Sequence, residues 1–242
     1  MTATRRAELA ARLARVEERI ARACDAAGRA REDVTLIVVT KTYPADDVRI
    51  LAELGVRHVA ENRDQEASRK AAACADLSLT WHFVGQLQTN KARSVTSYAD
   101  FVHSVDRERL VKALSESVMR RERAPLRCLV QVALEKEDGE GAAGRGGVAP
   151  EGVPELARAV ARAPGLTLAG LMMVAPLSGS YAGRPGVAFA RLREISRSLR
   201  GIDPAATMVS AGMSADLEEA IAAGATHVRV GSAVLGVRSG LR

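Results

Sequence analysis

Lysine is scarce in this 242-residue chain. Lys41, Lys70, Lys91, Lys112 and Lys136 are the only ones, and every other basic side chain except histidine is arginine. Arginine cannot stand in for an amine that must lose its proton, so each lysine is a candidate for chemistry. Lys41 closes the apolar run VTLIVVTK at 34–41. Desolvation at a strand end lowers a lysine pKa from its usual value of about 10.4. A neutral amine there can form a Schiff base with a carbonyl. The bland alternative is a lysine that snorkels past the strand end into solvent. Two other segments carry anion chemistry: SAGMS at 210–214 and VGSAVLG at 230–236. Each brings glycine and hydroxyls to the start of an expected helix, where free N–H groups and the helix dipole attract phosphate. The alternative is that Gly212 and Gly231 only make tight turns.

These residues need elements to position them. Leu9, Leu13, Val16 and Ile20 recur at helical spacing, and Gly28 is a plausible stop. After that first helix, strands are expected at 34–41, 56–60, 80–84, 100–105, 127–134, 166–174, 206–209 and 226–230. Helices are expected between them: from Pro44 to about Leu54, to about Ala75, over 89–97, after a cap at Asp106, and around Val153–Val160, Phe189–Leu199 and 215–223. Eight strand–helix units with apolar parallel strands indicate α/β. In a chain of this length they fit a (β/α)8 barrel preceded by an extra N-terminal helix over 1–30, one domain across 1–242. A doubly wound open sheet is the alternative. Barrel chemistry sits at strand C-termini, and phosphate sites often use the last two loops. Those loops neighbour strand one when the barrel closes. A phosphorylated aldehyde could be held there and condensed with Lys41, and pyridoxal 5′-phosphate (PLP) is the obvious candidate.

Composition narrows the alternatives. Hydrophobic residues make up 47% and aromatics 3%, so the core is aliphatic and no run reaches membrane-span length. The net charge of +6 is dispersed among acids, and the densest cluster, Arg120, Arg121, Arg123 and Arg127, has no aromatic to stack a base. Nucleic acid and membrane are therefore not expected as partners. Three separated cysteines and the absence of a signal core point to the cytoplasm. The four histidines fall on different elements without metal spacing, so no metal is expected. Residues 139–147, GEGAAGRGG, resemble a P-loop but lack its lysine and Ser/Thr, and read as a mobile loop.

The segments VVTKTYP, AENRDQE (60–66), WHFVGQLQTNK (81–91), HSVDR (103–107), GLMMVAP (170–176) and SAGMSADLEEAIAAGATHVRVGSAVLG (210–236) closely resemble the YggS/PROSC-type pyridoxal phosphate homeostasis proteins. These look like the barrel domain of alanine racemase standing alone. The resemblance implies a covalent PLP Schiff base on Lys41. It implies phosphate contacts from Ser210, Gly212, Met213, Gly231 and Ser232, and Arg229 near the pyridine nitrogen. Asn62, His82 and Met172 would line the pocket. Three positions depart from the family pattern: Ala60 where glycine is usual, Asp64 where an apolar residue is usual, and Arg145 where the loop usually carries lysine. The first two are expected to loosen the pocket edge.

An arginine at the pyridine nitrogen keeps it unprotonated and makes the ring a weaker electron sink. Racemisation also needs a second base on the opposite face. In two-domain racemases a tyrosine from the partner's β-domain serves, and Tyr43, Tyr98 and Tyr181 have no evident placement for it. The expected role is a monomeric PLP carrier serving vitamin B6 homeostasis and PLP-accepting apoenzymes. An amino-acid racemase is the alternative.

Overall fold

A computed structural model describes residues 2–121, 123–137 and 146–236. Its strands are β1 (Thr35–Val39), β2 (His58–Glu61), β3 (Thr80–Phe83), β4 (Phe101–Val105), β5 (Leu126–Gln131), β6 (Leu166–Met172), β7 (Met208–Ser210) and β8 (His227–Val230). They close into one barrel in chain order, all neighbours parallel, with β8 pairing back onto β1. The expected barrel is the observed one. The α-helices are α1 (Thr2–Ala26), α2 (Ala45–Glu53), α3 (Asp64–Ala73), α4 (Ala92–Val95), α5 (Glu108–Met119), α6 (Val153–Arg162), α7 (Pro185–Leu199), α8 (Leu217–Ala222) and α9 (Ser232–Leu235).

Side chains alternate across each strand, so the core has two layers. Ile37, Ala60, Phe101, Leu129, Met172 and Met208 meet inside the barrel. Val38, Val59, Val228 and Val230 face outward, under α1 and α2. Adjacent Met172 and Met173 therefore separate, Met172 to the interior and Met173 to the outer layer. Ala60 is fully buried in that interior cluster rather than at a pocket edge.

Helix α1 lies across α8 and α9. Leu9, Leu13, Val16 and Ile20 are buried beneath it, each contributing roughly 1.5–3 kcal/mol. Its partly exposed ion pairs, such as Arg19 Nε to Glu218 Oε1 at 2.8 Å, contribute roughly 0–1 kcal/mol each. The apolar stripe decides the docking. Among the described residues no helix is long and apolar enough to cross a membrane.

Several boundaries differ from expectation, each for a local reason. β1 ends at Val39, not 41, because a turn begins at Lys41. The expected helix over 89–97 is a 3-10 turn at Thr89–Lys91 followed by the four-residue α4. Asp106 does not cap α5. The cap position is Arg107, without a side-chain cap bond, and Asp106 pairs with the Arg107 guanidinium. The seventh strand begins two residues late, which leaves Ser210 inside it. The glycine-rich segment expected as a mobile loop, Arg145 included, lies outside the described residues except for its end. There Gln131 Nε2 donates to the Gly146 carbonyl at 2.6 Å and Lys136 Nζ to that of Gly147 at 2.5 Å.

Candidate functional site

The C-terminal ends of β1, β7 and β8 bring the expected residues to one side of the barrel mouth. Val38 pairs with Val230, so Lys41 and Gly231 follow neighbouring strands. A Cβ on Gly231 would sit 3.2 Å from the Val39 carbonyl. The two loops that resemble anion cradles touch: Ser232 Oγ donates to Ser214 Oγ at 3.4 Å. Gly212 lets the first of these loops pack closely on α8. Its φ is +88°, and a Cβ there would meet Ala220 Cβ at 2.6 Å.

The cradles differ from their expected form. α8 starts at Leu217, three residues past Ser214, and Met213 N–H already donates to Asp216 Oδ1 at 2.6 Å. α9 has only four residues, so its dipole is slight. Hydroxyls and loop amides, not a long helix, are the donors available to an anion. Lys41 also departs from expectation: its side chain is exposed. The turn lifts it off β1, and it does not line the cavity of 500 Å³ beside Asn62, Gln86, Lys91 and Arg107.

Beneath the mouth lies Arg229. Its guanidinium donates to Ser210 Oγ at 2.6 Å and to the Met173 carbonyl at 2.8 Å. Burial pulls its pKa down to about 10. Two of its five N–H donors are accounted for, and it forms no ion pair among the described residues. Ser210 is fully buried and held between Arg229 and His103.

Ser210 ends a string of imidazoles that sequence reading missed. His103 Nδ1 lies 3.0 Å from Ser210 Oγ, and His103 Nε2 lies 2.8 Å from His82 Nδ1. His82 Nε2 lies 3.0 Å from His58 Nδ1. Desolvation and neighbouring cations hold His82 and His103 well below the usual imidazole pKa. A neutral imidazole has one donor and one acceptor, so each ring's tautomer dictates the next. His82 is thus an interior link, stacked on Phe101 with centroids 4.5 Å apart. The histidines occupied separate strands in sequence. Alternation along successive barrel strands was the signal that places them together.

A second cluster was also missed. Lys70, on α3, is buried with its Nζ 2.5 Å from Glu61 Oε1 and 3.0 Å from Glu66 Oε1. Burial raises the Glu61 pKa, against the lowering effect of Lys70 and Thr40. Glu61 Oε2 has no partner among the described residues. The i,i+4 spacing of Glu66 and Lys70 was visible; the burial was not. Asn62 follows Glu61 at the mouth. Gly85 lets it stand there, since a Cβ on residue 85 would fall 2.0 Å from the Asn62 carbonyl oxygen. Asp64, beside this edge, accepts from Tyr98 Oη at 3.4 Å and lies 4.0 Å from Lys91 Nζ.

Residues 12–239 match the family described as alanine racemase, N-terminal domain. The pyridoxal phosphate homeostasis protein of Mycobacterium tuberculosis is 43% identical, over 97% of this chain and 94% of that protein. PipY of Synechococcus elongatus, solved with PLP bound, is 33% identical over 94% of this chain and all of that one, with a TM-score of 0.75. An alanine racemase from Streptomyces coelicolor shares the fold at 18% identity and a TM-score of 0.69, over 98% of this chain but 59% of the racemase. The chain belongs to the alanine racemase N-terminal domain family and, within it, to the pyridoxal phosphate homeostasis proteins.

Proposed function

We propose that this chain binds PLP at the C-terminal mouth of the barrel, as a Schiff base with Lys41, and serves PLP homeostasis without strong catalytic turnover. The observation that carries the reading is the junction of the Ser214 and Ser232 loops beside the Lys41 turn, above a buried arginine with donors to spare. That donor set fits the cofactor: an amine for its aldehyde, hydroxyls and loop amides for its phosphate, and a guanidinium for its ring nitrogen. Bound PLP supplies an electron-withdrawing ring. The chain's own residues hold and orient it. Gly212, Met213, Gly231 and Ser232 shape the phosphate loops. Ser210 acts through Arg229, which it holds in place. Asn62 borders the mouth, and His82 and Met172 form its floor.

A carrier is favoured over a racemase by the commitments of the three tyrosines. Tyr43 Oη donates to the Gly236 carbonyl at 2.7 Å, Tyr98 Oη to Asp64, and Tyr181 Oη to Glu137 Oε2 at 2.9 Å. Burial beside Asp64 pushes the Tyr98 pKa up, away from use as a base. We further propose a single-domain monomer that works in the cytoplasm and passes PLP to apoenzymes.

The test is an absorbance spectrum of the purified protein with PLP, beside Lys41→Ala, followed by borohydride reduction and peptide mapping. A Schiff-base band and a reduced adduct on Lys41, both lost in the variant, are expected. No adduct on Lys41 in the wild type overturns the reading. An exchange of the substrate α-hydrogen with solvent deuterium would move the balance to racemase.

A further inference from the structure

Thr42, next to Lys41, has φ of +69° and is the one non-glycine residue among those described with a positive φ. For a β-branched side chain this is an outlier. Such conformations persist only where the surroundings over-determine them, and they cluster at functional sites. Here the surroundings can be named. Thr42 N–H donates to Glu66 Oε1 at 2.5 Å. Glu66 meets Lys70 Nζ, which also donates to the Thr40 carbonyl at 2.8 Å and to Glu61 Oε1 at 2.5 Å. Thr40 Oγ1 donates to the same Glu61 oxygen at 2.5 Å. Both neighbours of Lys41 are thereby tied, directly or through one carboxylate, to a single ammonium.

The ties come from two elements. Glu61 ends β2, the strand that pairs with β1, and Glu66 and Lys70 lie one turn apart on α3. Lys41 itself takes no part in the cluster; its side chain is exposed. A buried ion pair is weak evidence of a stabilising role, because apolar residues of the same volume often serve as well. Holding a strained turn is a task an apolar replacement cannot do.

We propose that Lys70 is a positioning residue: with Glu61 and Glu66 it clamps the Thr40–Lys41–Thr42 turn so that the Lys41 amine projects toward the Ser214–Ser232 edge for an aldehyde docked there. The proposal rests on Lys41 as the attachment point for PLP. The clamp itself does not depend on PLP.

The full-length protein and the variants Glu66→Ala, Glu66→Gln, Lys70→Arg and Thr42→Gly test it. Three readouts are taken: the rate of PLP capture at Lys41, the rate of Lys41 methylation by formaldehyde and cyanoborohydride, and amide hydrogen exchange over residues 40–43. Glu66→Ala removes the acceptor for Thr42 N–H at a partly exposed position, so folding is retained. It is expected to slow PLP capture about tenfold or more, since small misplacements of a reacting group are costly. Exchange at 40–43 should quicken, while formaldehyde, which needs no docking, reacts at the wild-type rate. Glu66→Gln keeps an acceptor and should restore most of the PLP capture. Thr42→Gly relaxes the turn and should slow capture without loss of thermal stability. Lys70→Arg retains the charge but not the compact ammonium and should fall between wild type and Glu66→Ala. PLP capture and exchange at wild-type rates in both Glu66→Ala and Thr42→Gly overturn the proposal. A wild type that captures no PLP at Lys41 sinks the earlier reading alone. The exchange of Glu66→Ala then decides the clamp, and an unchanged rate overturns it.

Discussion

Two buried polar systems sit within a few residues of the barrel mouth, and they are built on opposite terms. The string from His58 to Ser210 runs through the interior with every ring neutral or nearly so. The Glu61–Lys70–Glu66 cluster lies outside the barrel wall under α3 and is ionic. The interior tolerates the string because each imidazole satisfies its neighbour without a net charge. The ionic cluster is permitted at the wall because α3 can deliver two of its members from one turn of helix. The difference separates two tasks. In the neutral string the tautomer of one ring dictates that of the next, whereas the ion cluster bonds backbone at Thr40 and Thr42.

Replacing charge should cost more than replacing a ring. Lys70→Met leaves two carboxylates facing each other, one of them buried, and should lower stability by about 3–5 kcal/mol, read as a drop in urea midpoint at unchanged m. Acid should attack the lowered histidines instead, the three of the string and His227, which bonds Thr226 outside it. His227 is held to about 4 by burial, His58 and Arg229, and the other three histidines are also lowered. A histidine lowered in the fold binds its proton more weakly than in the unfolded chain. Stability is therefore full above about pH 6.5 and falls as pH drops toward 4. His227 alone accounts for a loss of about 3 kcal/mol at the acid end. Glu61, raised in the fold, works in the opposite sense. Urea melts at pH 7.5, 6 and 5 that show no fall would break the account of the four lowered histidines.

A middle-sized effect sharpens the contrast. His82→Phe keeps the stack on Phe101 but strips partners from His58 and His103, and should cost roughly 1–3 kcal/mol. It should also flatten the acid slope, because one of the lowered imidazoles is gone. The smallest effect belongs to Lys41→Ala. An exposed side chain outside both systems should change stability by no more than about 0.5 kcal/mol, even as the PLP adduct disappears. A large loss of stability there would mean that Lys41 is part of the clamp rather than its cargo.

Much of the fold was legible because it rests on short-range patterns. The apolar runs VTLIVVTK at 34–41 and RCLVQVAL at 127–134 read as buried strands, and strands do occupy Thr35–Val39 and Leu126–Gln131. The spacing of Leu9, Leu13, Val16 and Ile20 likewise marks α1. The residues expected at the mouth were read from strand ends; Lys41 and Gly231 do follow paired strands, and Ser232 meets Ser214. What the run VTLIVVTK hid was its ending. An apolar strand suggested a desolvated Lys41, but the turn at Thr42 lifts the side chain into solvent, and nothing within the run announces that turn.

The sequence by itself determined the alternation of strands and helices and which strand ends carry lysine, glycine and hydroxyl chemistry, and it favoured a barrel over a doubly wound sheet. These follow from periodicity and from strand ends, which are local. Only the tertiary structure decided which methionine faces inward, that His58, His82 and His103 join into one string, and that Lys70 rather than Lys41 is the buried lysine. Those outcomes depend on closure of the sheet and the seating of α3 on it. Both bring together residues that sit on different elements, and no window along the chain contains them at once.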